Sequence, residues 1–164
     1  MALSFVRIDD RLVHGQVVEG WIPHLRTELV IIASDLVVND ETQRLLMRLA
    51  LPESVFLEVL SVAQAAQHPA LAGSCESRAL ILAPGPHEVL NLLKNGAKFK
   101  QVNVGGLHYT AGRVQLGKAI FLSEEDKRDL REISRCGVRL EGRALPGDRE
   151  IDLLEMIETE EAKP

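Results

Sequence analysis

Two five-residue stretches, 29–33 (LVIIA) and 79–83 (ALILA), carry no polar side chain. A strand that is apolar at every position has to be buried on both faces. That is the situation of inner strands in a parallel sheet covered by helices. Around these two runs, other apolar stretches of similar length alternate with longer amphipathic ones. The pattern predicts strands over 5–8, 29–33, 55–60, 79–83, 101–104, 119–122 and 139–144. It predicts helices over 15–22, stopped by Pro23, and over 41–50 behind Asp40, with Leu45, Leu46 and Leu49 on one face. Further helices are predicted over 62–67 behind Ser61, over 86–93, over 124–136 behind a capping-box-like Ser123-Glu-Glu-Asp126, and over 150–160. Strand–helix alternation repeated this often implies right-handed βαβ units. The expected fold is α/β, a doubly wound, mostly parallel sheet of about seven strands with helices on both faces. With 164 residues, the chain is expected to be one domain over 1–164, frayed at 161–164.

In sheets of this kind ligands bind beyond the carboxyl ends of the strands, where the strand order reverses. The segments that follow strands are therefore where chemistry is expected. The densest of them is Arg7-Ile-Asp-Asp-Arg-Leu-Val-His-Gly-Gln16 after the first strand. It opens onto a helix N-terminus, whose free N–H groups favour an anion. Arg11 offers a bidentate clamp for phosphate or carboxylate. His14 offers a ring nitrogen that can accept a phosphoryl group. Gly15 lets backbone approach such a group. Asp9 or Asp10 can orient the imidazole, as a carboxylate does for a catalytic histidine. Ser34-Asp35 and Asn39-Asp40 follow the second strand, and Gly105-Gly106 and His108 follow the fifth. All can line the same mouth.

Other residues carry plainer readings. His24, His68, His87 and His108 read as surface histidines, Gly105-Gly106 as a turn, and Trp21 as core. Cys75 and Cys136 form no metal or disulfide pattern and read as reduced thiols. No metal site emerges by spacing. No GxGxxG, GxxxxGK[ST], HExxH or GxSxG motif occurs, so dinucleotide, nucleotide, zinc-protease and serine-hydrolase chemistry lack their signatures. No run approaches the ~20 apolar residues of a membrane span, and the first ten residues lack a signal-peptide core. The net charge of −5 lies wholly in residues 123–164, with 13 acidic and 8 basic side chains against 11 of each before them. This balance argues against nucleic acid as a partner.

The stretch Arg7-Ile-Asp-Asp-Arg-Leu-Val-His-Gly-Gln-Val17 followed by Trp21 resembles the N-terminal motif of the IIB subunit of the bacterial sugar phosphotransferase system, mannose/fructose/sorbose family. Weaker matches follow in the right order: Ser34-Asp35 with Asn39-Asp40, Met47 to Pro52, Val102-Asn-Val-Gly-Gly106, and Cys136-Gly-Val138 through Leu145-Pro146. The resemblance implies a phosphohistidine carrier. It would take a phosphoryl group from a phospho-IIA protein onto His14 and pass it to a sugar held by the membrane partners IIC and IID. It also implies that no cofactor or metal is needed, with Arg11 as the clamp and Asp10 orienting the ring. Arg7, Gly15, Gln16, Asp35, Asn39, Gly105 and Gly106 would bind the phosphoryl group or substrate. The expected location is the cytoplasm, at the inner face of the membrane through the partners, with a homodimer as one possible assembly. The chain departs from the family pattern at Ser34-Asp35, Ala83-Pro-Gly-Pro86 and Leu107–Gly112, which bears on the sugar. Two other readings of the same mouth are a IIB-like regulatory module and a binding protein for a small anion.

Overall fold

The computed structural model describes residues 4–164. Seven strands form one sheet in the order β3-β2-β4-β1-β5-β8-β9. They are β1 (Ser4–Asp9), β2 (Leu29–Ala33), β3 (Phe56–Leu60), β4 (Ala79–Ala83), β5 (Gln101–Gly106), β8 (Arg139–Gly142) and β9 (Ile151–Asp152). The first six run parallel, and only the two-residue β9 pairs antiparallel. The all-apolar runs are β2 and β4, buried at every residue. From β1 the chain winds out one way through β2 and β3, then returns and winds the other way through β5 and β8. The exits of β1 and β5 therefore diverge at the carboxyl ends of two neighbouring strands, where a doubly wound sheet opens a crevice.

Period-two alternation sends each strand's side chains to two separate cores. Ile31, Ile81, Val102 and Val104 face the larger one, under α5 (Pro86–Lys94), α6 (Glu124–Arg135) and α7 (Leu153–Glu161). Val30, Ile32, Leu80 and Leu82 face the other, with Leu12, Val17, Ile22 and Met47. The predicted caps form. Asp40 accepts the Gln43 N–H ahead of α2 (Glu41–Ala50), and Ser61 and Ser123 close reciprocal capping boxes with Gln64 and Asp126.

Several expectations are corrected. Pro23 does not stop the first helix. A π-helical turn, Val17–Trp21, runs into α1 (Ile22–Leu25), which ends at Arg26 in the left-handed region. The Ile22 N–H bonds Val17 O in that wider register, so the missing proline N–H interrupts no regular ladder. Residues 119–122 do not join the sheet. β7 (Ile120–Leu122) pairs with β6 (Val114–Gly117) in a separate hairpin. The four-residue helix α4 (Pro69–Ala72) and β9 were not foreseen. Leu45, Leu46 and Leu49 do share a face of α2, but it points to solvent, and Met47 is the buried contact. The helix lies beside the edge strand β3, where there is little sheet to cover. At the C-terminus Glu161 ends α7 and pairs with Arg131, so the helix takes in the first of the four residues expected to fray.

Candidate phosphoryl-transfer site

Arg7 and Asp9 leave β1 on the same face, two residues apart. Cross-strand register sets Asn103 of β5 beside Arg7 and Glu141 of β8 beside Asn103. All four are fully buried, so they must satisfy one another. The Arg7 Nη1 donates to Asn103 Oδ1 at 2.5 Å and to the Arg143 carbonyl at 2.9 Å. Its Nη2 donates to Asp9 Oδ2 at 3.0 Å and to the Ala144 carbonyl at 3.1 Å. Asn103 Nδ2 donates to Glu141 Oε1, and Arg143 grips the Glu141 carboxylate through two nitrogens. The Trp21 ring lies 4.9 Å from the Arg7 guanidinium, and its Nε1–H bonds the Ala144 carbonyl.

The β1–β5 register slips between Ile8 and Asp9, which pairs with Gly106. This bulge at Gly105 is where the Arg7 guanidinium fits; a Cβ on Gly105 would occupy the guanidinium itself. A Cβ on Gly106 would stand 3.0 Å from the Asp9 carboxylate. These two glycines lie inside β5 and make room for Arg7 and Asp9. They do not form a turn.

Asp9 is the hub. Its Oδ2 also receives His14 Nε2 at 2.8 Å, and its Oδ1 accepts the Arg11 backbone N–H at 3.1 Å. Burial pushes the Asp9 carboxyl upward. The His14 hydrogen bond and the Arg7 charge outweigh that and hold it below the usual carboxylate range. Burial likewise pulls Arg7 down, against the attraction of Asp9 and Glu141. The loop that carries His14 is held from below. Leu12 adopts a left-handed φ of 57° and its side chain is buried in the second core. Such a conformation costs about 1–3 kcal/mol and persists only where packing enforces it.

Asp9, not Asp10, therefore touches the His14 ring. Side chains alternate along a strand, and Asp9 is the residue whose carboxylate shares the face of Arg7 and Trp21. Asp10 turns the other way. It accepts His108 Nδ1 at 2.5 Å and the His108 backbone N–H at 2.8 Å. Arg113 adds an ion pair to Asp10 at 3.7 Å and one to Asp126 at 3.4 Å. Arg7, expected to bind the phosphoryl group, is wholly buried and committed to protein acceptors.

Arg11 is exposed; among the described residues its guanidinium has only a 3.4 Å contact to Gln16 Oε1. Gly15 and Gln16 are exposed beside it, and a Cβ on Gly15 meets nothing within 4 Å. Asp35 Oδ1 accepts the Val62 N–H and ties the end of β2 to α3 (Val62–Ala66). Asn39 lies exposed at the end of a 3-10 turn, and no hydrogen bond links either residue to His14. His24 and His87 are exposed, as expected. His68 caps α4 and meets Glu58. His87 approaches Glu125 and Asp129 in an exposed group. Sequence reasoning missed Asn103, Glu141 and Arg143. The signal was a polar residue between apolar neighbours, Asn103 between Val102 and Val104, with Glu141 after Leu140.

The buried Asp9 carboxylate thus holds one nitrogen of the half-buried His14 imidazole, an arrangement in which the other nitrogen can act as a nucleophile. Residues 3–164 match the family described as PTS system sorbose subfamily IIB component, and the chain belongs to that family. The sorbose-specific EIIB component of Klebsiella pneumoniae is 33% identical over 157 residues, covering 96% of each chain. The fructose-specific EIIB component of Bacillus subtilis is 32% identical over 160 residues, again 96% of each. The mannose-specific EIIAB component of Escherichia coli is 31% identical, matching 96% of this chain and 49% of that one. The crystal structure of the IIBSor domain of the Klebsiella pneumoniae sorbose permease superimposes with a TM-score of 0.86 at 33% identity, covering 94% and 95% of the two chains. The protein is a phosphotransferase-system IIB component, a phosphoryl carrier in sugar uptake; these relatives do not favour the regulatory reading. Among the described residues no helix is long and apolar enough to cross a membrane.

Proposed function

We propose that His14 is the phosphorylated residue and that Nδ1 is the nucleophilic atom. The observation that carries this is the 2.8 Å contact between His14 Nε2 and the buried Asp9 carboxylate. A carboxylate accepts, so the proton sits on Nε2 and the Nδ1 lone pair is left for phosphorus. Arg11 supplies the guanidinium that meets the phosphoryl oxygens, and the Gly15 and Gln16 N–H groups complete the cradle. Asp9 positions the ring and compensates the charge that the imidazole gains as the N–P bond forms. Arg7 is the strut that holds Asp9. Transfer between nitrogens of similar energy leaves the protein little to do beyond positioning and charge stabilisation.

The donor in this reading is a phospho-IIA protein, a link supported by the fused EIIAB relative. The acceptor is a sugar bound by membrane IIC and IID partners, and those contacts alone bring the chain to the membrane. The nucleophile and the clamp come from one chain, so a homodimer is not required for the chemistry. The unit is a single IIB-type phosphocarrier domain over 1–164.

The test is a phosphotransfer assay with labelled phosphoenolpyruvate, the general phosphotransferase proteins and a IIA partner. Acid-labile, base-stable label is expected on His14, at Nδ1 by nitrogen and phosphorus resonance. His14→Gln is expected to remain folded and take no label. Label persisting in that variant would overturn the assignment.

A further inference from the structure

A second cavity opens at the opposite end of the sheet, where the strands begin, with a volume of about 800 Å³. Among the described residues that line it, Arg78, Lys98 and Lys100 are basic and none is a carboxylate. Glu28, next to Thr27 in the chain, accepts the Arg78 backbone N–H at 2.8 Å. None of the three cationic side chains has an ion-pair partner among the described residues. The wall also holds Thr27, whose residue is 8% exposed and whose buried Oγ1 has no hydrogen-bond partner. A buried hydroxyl without a partner costs about 1–3 kcal/mol, and Thr27 stands in the wall of this cavity. Phe5 and Phe99 give the same cavity an apolar wall.

We infer that this cavity binds a sugar phosphate, with the phosphate dianion among Arg78, Lys98 and Lys100 and a ring hydroxyl on Thr27 Oγ1. The volume lies in the range of small-molecule sites and exceeds what a bare phosphate fills. The mixed wall suits a body with an apolar ring face and hydroxyl edges. The choice of a sugar as that body rests partly on the proposed function, whose product is of this class; the phosphate rests on the cations alone. The site is physically joined to His14. Phe5 stacks on Trp21 with ring centroids 5.1 Å apart, and Trp21 lies against the Arg7 that holds Asp9.

The experiment uses the full, unphosphorylated chain, so it does not depend on transfer activity. Glucose 6-phosphate is titrated while backbone amide resonances are followed, with glucose and inorganic phosphate in parallel. The expected result is saturable shifts at Thr27, Arg78, Lys98 and Lys100, with affinity falling about tenfold for either half of the ligand. Lys98→Gln with Lys100→Gln should weaken binding about tenfold, and Thr27→Val severalfold, with the remaining spectrum unchanged. Absence of saturation would overturn the site. So would shifts confined to Arg11, His14 and Gly15, or undiminished binding in the charge variant. Inorganic phosphate binding as tightly as glucose 6-phosphate would overturn the sugar assignment.

Discussion

Two histidine–aspartate pairs sit side by side at the end of β1, built on consecutive carboxylates. In the first, Asp9 has no exposed side-chain surface and His14 keeps 13%. In the second, Asp10 is 25% exposed and His108 is 44% exposed. The contacts are of similar length, but the surroundings differ. Asp9 is anchored by the Arg7 guanidinium and by a backbone N–H, and Arg7 is anchored by Asn103 and two carbonyls. Asp10 meets Arg113 in a pair open to water, where screening leaves little net energy. The same His–Asp contact thus occurs in two different settings. What distinguishes the first pair is the buried row behind it, which fixes the carboxylate before the imidazole arrives. The second pair fastens the segment after β5 to the loop after β1 and so shapes the rim.

The sharpest way to break this comparison is Asp9→Asn. The amide can rotate to offer a donor to Nε2, which selects the wrong tautomer. The phosphorylation rate of His14 is expected to fall about 10²- to 10⁴-fold, measured by rapid quench. The same variant tests the charge. Because the folded state holds the Asp9 carboxyl below its ordinary value, its stabilisation is complete above the unfolded carboxylate range near pH 4 and is lost as pH falls through the lower folded value. Denaturant melts of the two proteins should therefore differ at pH 7 and converge in strong acid; an equal gap at both would show that Asp9 is not held low.

Next in size is Arg7→Met. It removes four hydrogen bonds, leaving Asn103 Oδ1 without a donor and the buried Asp9 carboxylate without its guanidinium, at a cost of about 3–5 kcal/mol, which lowers the melting temperature by roughly 6–20 °C. A fall of only a degree or two would mean that the buried row adds nothing. Arg11→Lys turns a fork into a point charge. It should slow transfer about tenfold, a loss of about 1.4 kcal/mol, without moving the melting temperature; an unchanged rate removes Arg11 from the site. The smallest effect belongs to the second pair. His108→Asn should change stability by less than about 1 kcal/mol and leave the transfer rate within about twofold. A large loss of rate would mean that the exposed pair shares the chemistry.

The parts legible in the sequence are those whose signal is local. Residues 29–33 and 79–83 could only be inner strands, and Asp40, Ser61 and Ser123 could cap because the groups they satisfy lie three residues away. His14 and Arg11 could be singled out because one loop after one strand carries both. Asp9 and Asp10 were not separable, because neighbouring carboxylates look alike until the strand's alternation and the bulge at Gly105 decide which one faces Trp21. The short β6, β9 and α4 were missed for a similar reason. Two to four residues carry no periodicity, and only their neighbours order them.

What the chain determined by itself is the doubly wound α/β architecture and the position of the His14 loop at the carboxyl end of its first strand. Hydrophobic periodicity and capping act within a few residues and are written directly in the order of side chains. Tertiary structure alone decided that Arg7 is a strut and not a ligand, that two glycines exist to admit it, and that Asn103 and Glu141 stand behind it. Those roles join residues 96 and 38 positions apart. They exist only once parallel strands lock in register and burial drives the polar groups of the row to pair with one another.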